Sequence, residues 1–184
     1  MTVQEKSTLH SAAFSKSNKL YRVLWALVYW SVFRFSPVFC FSLRRYILLG
    51  FGAKVSNSSR VYPSVSIWSP KNLSMGEHST LGPRVRVYNQ GDIDIGARVI
   101  VSQDSTLCAS THDYTDSLHP LILGPIHISS EVWICAEAFI GPGVCVSEGS
   151  VVGARAALFS DTMPWTVYAG NPARAIKERG KNGF

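Results

Sequence analysis

The hydrophobic residues of this chain recur with a period of six. From residue 128 onward an aliphatic side chain occupies every sixth position: Ile128, Ile134, Ile140, Val146, Val152 and Leu158. Side chains repeat every 3.6 residues in an α-helix and every two residues in a strand, so neither element explains this spacing. A hexapeptide repeat is typical of a parallel β-helix, in which each repeat places one short strand on one face of a prism. The pattern therefore predicts an all-β fold.

The same period continues upstream and groups into about five coils of three strands. The first residues of the repeats are 55, 61 and 67, then 75, 81 and 87, then 95, 101 and 107, then 128, 134 and 140, and finally 146, 152 and 158. A small or short branched residue follows four positions later, as at Ser59 and Ala138, and would fit a tight corner. Glycine often comes directly after the first residue, as at Gly76, where a turn with positive φ would favour it.

The insertions between repeats all follow the third strand of a coil. Two extra residues separate positions 67 and 75, two separate 87 and 95, and fifteen separate 107 and 128. We therefore expect the insertions to stack on one corner of a triangular prism. Loops on a rigid scaffold usually carry the function, so this corner is the predicted site.

The chain divides into four segments. Residues 1–19 are predicted to be a polar, flexible N-terminus, residues 20–50 an aromatic and basic helical segment, residues 51–169 the β-helix, and residues 170–184 a basic tail with a short helix. The uncharged run between Arg22 and Arg34 is too short for a membrane span, which needs about 20 apolar residues. Two compatible interpretations of residues 20–50 remain. The segment covers an open end of the β-helix, or it holds the protein at the inner membrane surface.

Composition narrows the class of protein only slightly. The 184 residues are 46% hydrophobic and 16% charged, as in an ordinary folded protein. The net charge of +6 suggests an anionic ligand or surface. The four cysteines show no Cys-x-x-Cys spacing, which favours reduced thiols in the cytoplasm over a disulfide or zinc framework. No secretory signal is predicted in the polar first nineteen residues, and the scattered basic residues do not favour nucleic-acid binding.

His112 is the candidate catalytic residue. It stands where the fifteen-residue insertion leaves the column, next to Asp113. Histidine is the side chain whose ordinary pKa, about 6.5, suits proton transfer near neutral pH. The alternative is that His112 only stabilises the base of the loop.

Several longer motifs resemble the hexapeptide-repeat O-acetyltransferases, in particular the colanic-acid-biosynthesis type of exopolysaccharide acetyltransferase. They are FGAKV at 51–55, WSPKNLSMGEHS at 68–79, the segment from Ile95 to His112, and ISSEVWICAEAFIGPGVCVSEGSVVGARAALFSDTMPWTVYAGNPARAIKER at 128–179. Within them, STHDY at 110–114 lies where relatives that acetylate sugars carry their catalytic histidine. The resemblance implies a left-handed β-helix, a homotrimer with active sites between subunits, and transfer of an acetyl group from acetyl-CoA to a sugar hydroxyl, with no metal.

The resemblance also implies roles for individual residues. His112 would be the general base. The residues implied for the cofactor are Trp133 beside the thioester arm, Ala136 and Ala154 along the pantetheine, and Arg174 and Lys177 at the nucleotide phosphates. Trp133 could instead be a packing residue, and Arg174 and Lys177 part of a solvated tail.

The acceptor side departs from the family pattern. Galactoside and maltose acetyltransferases carry an asparagine that helps to bind the acceptor, and this chain has Arg84 at that position. We expect Asn89 and Tyr88, in the second insertion, to face the acceptor instead. Asp113 could bind a sugar hydroxyl or set the loop geometry. Which sugar, which hydroxyl and which carrier remain open, and so does another acyl donor such as succinyl-CoA.

Two other functions fit a β-helix. The γ-class carbonic anhydrases bind zinc through histidines, and His78, His112, His119 and His127 make that comparison necessary. That family has a His-x4-His pair, whereas six residues separate His112 from His119. A non-catalytic scaffold or binding module is the remaining alternative.

Overall fold

A column of short parallel strands, closed at one end by helices, makes up residues 14–180, which are the residues that the computed structural model describes. Helix α1 spans Lys16–Val28 and continues into a π-helical turn at Tyr29–Phe33, and helix α2 spans Phe41–Gly50. Helix α1 thus begins inside the segment predicted to be a flexible N-terminus. Residues 1–13 of that prediction lie outside the described residues.

Three parallel sheets form the faces of a left-handed β-helix, as predicted. Face A consists of β1 (Lys54–Val55), β4 (Leu73–Met75), β7 (Ile93–Ile95), β12 (Ile126–Ile128) and β15 (Cys145–Val146). Face B consists of β2 (Arg60–Val61), β5 (Thr80–Leu81), β8 (Ile100–Val101), β13 (Trp133–Ile134), β16 (Val151–Val152) and β18 (Thr166–Gly170). Face C consists of β3 (Ser66–Ile67), β6 (Arg86–Tyr88), β9 (Thr106–Cys108), β14 (Phe139–Ile140) and β17 (Ala157–Leu158).

The structure confirms the predicted register of the repeats. The first residue of each repeat points inward and is buried, and the small residue four positions later fills a corner, as at Ser59 and Ala138. Val55 pairs with Met75, and Met75 pairs with Ile95, so insertion of two residues leaves the stacking intact. The fifteen-residue insertion does the same, because Ile128 lies over Ile95.

The glycine prediction was wrong in its reason. Left-handed backbone occurs three residues after the first residue of a repeat, mostly at charged residues such as Arg84 and Glu137, whose φ angles are 58° and 60°. Gly76 has another constraint, because a Cβ atom there would lie 2.7 Å from the backbone carbon of Gly96 in the next coil. These glycines permit the close stacking of coils.

The N-terminal segment caps the first coil. In each pair of coils, a backbone N–H of the lower coil donates to a carbonyl of the upper one, as Ser56 does to Met75. The first coil therefore has carbonyls that no strand can satisfy, at Val55, Val61 and Ile67. Three side chains of the segment donate to them: Arg45 Nε at 3.1 Å, Arg44 Nε at 2.6 Å and Trp25 Nε1 at 2.7 Å, respectively. The interpretation of residues 20–50 as a cover for the open end agrees with this geometry.

The other end of the column differs from the prediction. Residues Ala173–Glu178 form strand β19, antiparallel to β18, and not the predicted short helix. The chain turns at Asn171 and Pro172, and the backbone partners available on β18 favour a strand. Arg179 then fastens the end of β19, since its Nη1 donates to the carbonyls of Glu131 and Gly149 at 2.8 and 2.9 Å. Within residues 14–180, no helix has both the length and the apolar character to cross a membrane.

The cap yields a stability prediction. Arg44 is fully buried and also donates to Ser36 Oγ and to the carbonyls of Pro37 and Val38. Replacing Arg44 by Met leaves these buried acceptors without a donor, so we expect a loss of about 3–5 kcal/mol in the free energy of unfolding. Urea denaturation followed by circular dichroism measures this. The exposed Arg60, replaced by Met, is the control and should change stability by less than about 0.5 kcal/mol. Equal effects for the two variants would contradict the capping role.

Candidate active site

The three insertions stack on the corner between faces C and A, as the sequence predicted. Residues 68–72, 89–92 and 109–125 follow strands β3, β6 and β9. Asn89 joins the first two. It is fully buried, its Oδ1 accepts from the Ser69 N–H at 3.0 Å, and its Nδ2 donates to the Ser69 carbonyl at 2.6 Å. The prediction that Asn89 faces the acceptor is therefore corrected, because its amide holds the corner together and has no exposed edge.

The third insertion is a β-hairpin that leaves this corner. Strands β10 (Ser110–His112) and β11 (Leu121–Leu123) pair antiparallel, with His112 opposite Leu121. The root is held by backbone hydrogen bonds. The Ala109 N–H donates to Tyr88 O at 3.1 Å, and the Gly124 N–H donates to Ala109 O at 3.0 Å. A rigid root therefore holds the strand that carries His112.

His112 lies at the outer end of β10, with its side chain exposed. Its Nδ1 is 2.6 Å from the carbonyl oxygen of His119, which lies in the loop between the two strands. A carbonyl oxygen can only accept, so Nδ1 carries the proton when the ring is neutral. The lone pair of Nε2 is then available to accept a proton from another molecule. This arrangement gives the ring one defined tautomer and one free basic nitrogen.

Asp113 sets the geometry of the loop, which is one of its two predicted roles. Its Oδ1 accepts from Thr115 Oγ1 at 2.6 Å and from the Thr115 N–H at 2.9 Å. The hydrogen bond from the Thr115 hydroxyl, together with that from the N–H, lowers the pKa of Asp113 from its ordinary value. The carboxylate form therefore persists to lower pH than usual, and so do the hydrogen bonds that close the turn beside His112.

Tyr88 lines an open groove on face C, below the root of the hairpin. The groove has a volume of about 400 Å³ and is bounded by Trp68, Tyr88, Cys108 and Phe139. Tyr88 is 42% exposed, and its hydroxyl accepts from Gln90 Nε2 at 3.2 Å. Of the two acceptor residues predicted in the second insertion, only Tyr88 has a surface that a ligand can reach.

The residues assigned to the cofactor lie on another side of the prism. Trp133 is on face B, 47% exposed, and its Nε1–H donates to Ser102 Oγ at 3.0 Å. Ala136 and Ala154 occupy the corner between faces B and C in successive coils, and the Ala136 carbonyl accepts from the Arg155 N–H. Among the hydrogen bonds of residues 14–180, none has the N–H of Ala136 or Ala154 as its donor. The N–H groups of the half-buried Ala136 and the exposed Ala154 are therefore candidate donors to a ligand.

Arg174 and Lys177 lie on β19 at the upper end of face B, with exposed side chains. Neither is in an ion pair among the described residues, whereas three of the other arginines form ion pairs along the corners of the column. Sequence reasoning missed Arg179, whose two carbonyl contacts hold this strand in place. Arg179 lies within the predicted basic tail, and nothing in the local sequence signals that contact.

Arg84 is on the corner between faces B and C, and its guanidinium is engaged. Nε and Nη2 each lie 2.7 Å from a carboxylate oxygen of Asp104 in the next coil. The hydrogen bond from Arg84 lowers the pKa of Asp104. Arg155 and Glu137 form a similar pair at the same corner. Arginine at residue 84, in place of asparagine, thus belongs to a row of ion pairs that links successive coils. Its guanidinium already binds the carboxylate of Asp104 within the chain.

Two other chemistries were tested against the structure. Cys135 precedes Ala136, and burial raises the pKa of its thiol, which disfavours the thiolate that a covalent intermediate would need. Within residues 14–180, no three His, Cys, Asp or Glu side chains come close enough together to hold a metal ion.

Comparison with known proteins shows relatives over most of the chain. The chain is 36% identical over 166 residues to the colanic acid biosynthesis acetyltransferase WcaF of Escherichia coli (strain K12), covering 90% of this chain and 91% of that protein. It is 29% identical over 129 residues to galactoside O-acetyltransferase of the same organism, covering 68% and 64% of the two chains. No family model matches.

Solved structures share the fold at lower identity. Galactoside acetyltransferase in complex with coenzyme A superposes with a TM-score of 0.83 at 22% identity, covering 92% of this chain and 86% of that one. A hexapeptide-repeat acetyltransferase of Vibrio cholerae, complexed with acetyl-coenzyme A, gives a TM-score of 0.82 at 22% identity and covers 94% of both chains.

The root of the hairpin yields a prediction about Gly124. A Cβ atom at residue 124 would lie 2.7 Å from the Gly143 nitrogen and from Pro142 Cβ, so an alanine must push the hairpin away from the next coil. We expect Gly124→Ala to cost about 1–3 kcal/mol of unfolding free energy and to speed proteolysis between residues 113 and 120. Denaturation and limited proteolysis measure the two effects. Gly50→Ala is the control, because nothing lies within 4 Å of its Cβ position. Unchanged cleavage in Gly124→Ala would show that this contact does not position the hairpin.

Proposed function

The chain belongs to the hexapeptide-repeat acetyltransferases of the colanic-acid-biosynthesis type, and from that premise we propose that it transfers an acetyl group from acetyl-CoA to a sugar hydroxyl, with His112 as general base. That it is an acetyltransferase follows from the family. The acceptor, the base and the assembly are the parts we propose here.

The observation that carries the proposal is the hydrogen bond from His112 Nδ1 to the carbonyl of His119, 2.6 Å long. It selects the tautomer in which Nε2 is unprotonated and faces solvent. A base for a neutral hydroxyl needs this property, because a hydroxyl is a weak nucleophile until its proton has an acceptor. The carbonyl also accepts from the imidazolium after proton transfer, so the same contact stabilises both states of the ring.

The reaction is a direct transfer in two proton steps. Nε2 of His112 takes the proton of the acceptor hydroxyl as its oxygen bonds to the thioester carbonyl carbon. The carbon–sulfur bond then breaks, and the imidazolium returns the proton to the departing thiolate. Acetyl-CoA supplies the acetyl group and the thiol leaving group. The raised pKa of the half-buried Cys135 thiol disfavours its thiolate, which supports direct transfer over an acyl-cysteine step.

The residues proposed to bind acetyl-CoA have suitable chemistry. The N–H groups of Ala136 and Ala154 are donors for the amide carbonyls of a pantetheine arm. Trp133 lies shortly before Ala136 in the chain and offers a half-exposed ring face. Arg174 and Lys177 are exposed cations, which suit phosphates. A solved structure of similar fold contains bound acetyl-coenzyme A, which supports acetyl-CoA as the acetyl donor. Succinyl-CoA remains a competitor to include in the assay.

The placement of these residues supports a site between subunits. His112 is on the hairpin that extends from the corner between faces C and A. Trp133 is on face B, which lies opposite that corner in a triangular prism. One chain cannot bring both to the same thioester without crossing its own core. We therefore propose a homotrimer in which His112 of one subunit meets face B and the B–C corner of its neighbour. Tyr88 and Asp113 would lie on the acceptor side, and Arg84 on the facing corner.

The acceptor is proposed to be a saccharide of a cell-surface or exopolysaccharide, and the reaction to occur in the cytoplasm. One relative is named for colanic acid biosynthesis and a second is named as a galactoside O-acetyltransferase, and both names support a sugar hydroxyl as acceptor. The Tyr88 groove, about 400 Å³ and open at one side, has room for a sugar unit that is part of a longer chain.

Replacing His112 tests the proposed mechanism. We expect His112→Ala to lower kcat by about 10²–10⁴ with acetyl-CoA, because no other group accepts the hydroxyl proton. The melting temperature should be unchanged, because the side chain is exposed. Release of coenzyme A, followed with a thiol reagent over a panel of nucleotide sugars and oligosaccharides, measures the rate.

The matched control is His78→Asn, because His78 has positive φ, which Asn tolerates, and lies on another corner. It should keep the wild-type rate. Full activity in His112→Ala would remove the general-base assignment. If the wild-type protein transferred acetyl groups to no saccharide, the proposed acceptor class would be wrong.

A second prediction concerns the phosphates of the cofactor. We expect Arg174→Gln combined with Lys177→Gln to raise KM for acetyl-CoA about tenfold and to leave kcat nearly unchanged, since the lost contacts are equally present in the ground and transition states. With acetyl-pantetheine, which lacks the phosphates, the variant and the wild type should have the same KM. An equal defect with both donors would indicate that the variant distorts β19.

A further inference from the structure

Large hydrophobic side chains are exposed mainly on the N-terminal segment. In helix α1 and the turn after it, Leu24, Leu27 and Trp30 are 50%, 63% and 63% exposed. Phe35 and Phe39, in the connection to α2, are 73% and 81% exposed. We refer to these five side chains as the cap surface. A group of exposed apolar side chains of this kind marks a contact with another protein or with a membrane.

Helix α1 is apolar on two faces. One face packs on the column through Trp25, and the turn that follows packs there through Phe33; both residues are buried. The opposite face carries Leu20, Leu24 and Leu27, which recur at helical spacing and are exposed. A surface helix normally has a polar outer face. The outer face of α1 therefore needs its own partner, because capping the first coil uses only the inner one.

The charge around the cap surface is of one sign. Between residues 14 and 76 the chain has nine Lys and Arg and no Asp or Glu. Between residues 77 and 180 it has seven Lys and Arg and eleven Asp and Glu. The cap and first coil thus form a positive end on a column that is otherwise negative. Lys16, Lys19 and Arg34 flank the exposed apolar face.

We propose that the cap surface docks on an anionic phospholipid bilayer. Exposed Trp and Phe side chains enter the interface between headgroups and acyl chains, and the surrounding Lys and Arg side chains contact the anionic headgroups. Both requirements, an apolar face and a cationic rim without acidic residues, are met in the same segment. A second copy docked end to end, with its own cap surface against this one, fits less well, because two ends with this excess of Lys and Arg repel each other.

The experiment uses the full chain and vesicles of phosphatidylcholine, with and without about one-third phosphatidylglycerol. We expect co-sedimentation with the anionic vesicles, at least about tenfold weaker binding to the neutral ones, and weakening by salt. Trp30→Ser, Phe35→Ser and Phe39→Ser together should reduce binding to anionic vesicles about tenfold or more. Phe159→Ser is the matched control, since Phe159 is 60% exposed and lies in the last full coil.

A second variant keeps the test valid if the triple substitution misfolds. Lys16→Glu with Lys19→Glu changes only exposed polar side chains and should also lower binding to anionic vesicles about tenfold. Wild-type protein that ignores anionic vesicles, or variants that bind them as the wild type does, would overturn the proposal. A change of molar mass in the triple variant by light scattering would overturn it too, because the surface would then be a subunit contact. The rate of acetyl transfer to a small soluble acceptor should be the same in these variants as in the wild type.

Discussion

The open edge of the first coil is the constraint on which this structure depends. Every inner coil of a β-helix is hydrogen-bonded to a coil on each side. The first coil has no coil beneath it, so no strand donates to its carbonyls. Arg45, Arg44 and Trp25 supply one donor to each face. Each of these side chains is large enough to reach the exposed edge of the sheet from the helix that carries it. Capping uses only one face of this short segment, so it leaves the second hydrophobic face uncovered and does not account for it.

The strands and coils of the column could be predicted from the sequence, but the side-chain contacts that join the coils could not. The six-residue period depends on burial inside the prism, which is a local property, so the strands, the five complete coils and the corner that carries the insertions could all be read from spacing. The αL positions at Arg84 and Glu137 could not, since charged residues are unusual there. The ion pair of Arg84 with Asp104 joins residues 20 positions apart, and that of Glu137 with Arg155 joins residues 18 positions apart. Such partners are defined only once the stacking is known.

The site shows the same division. The position of His112 on the protruding hairpin could be predicted because an insertion that leaves a repeat is visible in the spacing. Asn89 was misassigned because an asparagine in a corner insertion looks the same whether its amide faces solvent or the backbone of Ser69. The C-terminal strand was missed because its partner, β18, is itself an extra rung beyond the five coils. These errors share one cause: the partner of each residue is supplied by a neighbouring coil and not by the local sequence.

The pairing distance along the chain has a consequence for synthesis. Lys54 pairs with Ser74, Arg60 with Thr80 and Ser66 with Arg86, so each rung rests on one made a single turn earlier. Such contacts close short loops, which is unusual for a β protein and favours rapid assembly. The capping helices precede the column in the chain, so they leave the ribosome before it and offer a template before the second coil exists. The molecule can therefore be built in order, from its covered base upward, without waiting for its last residues.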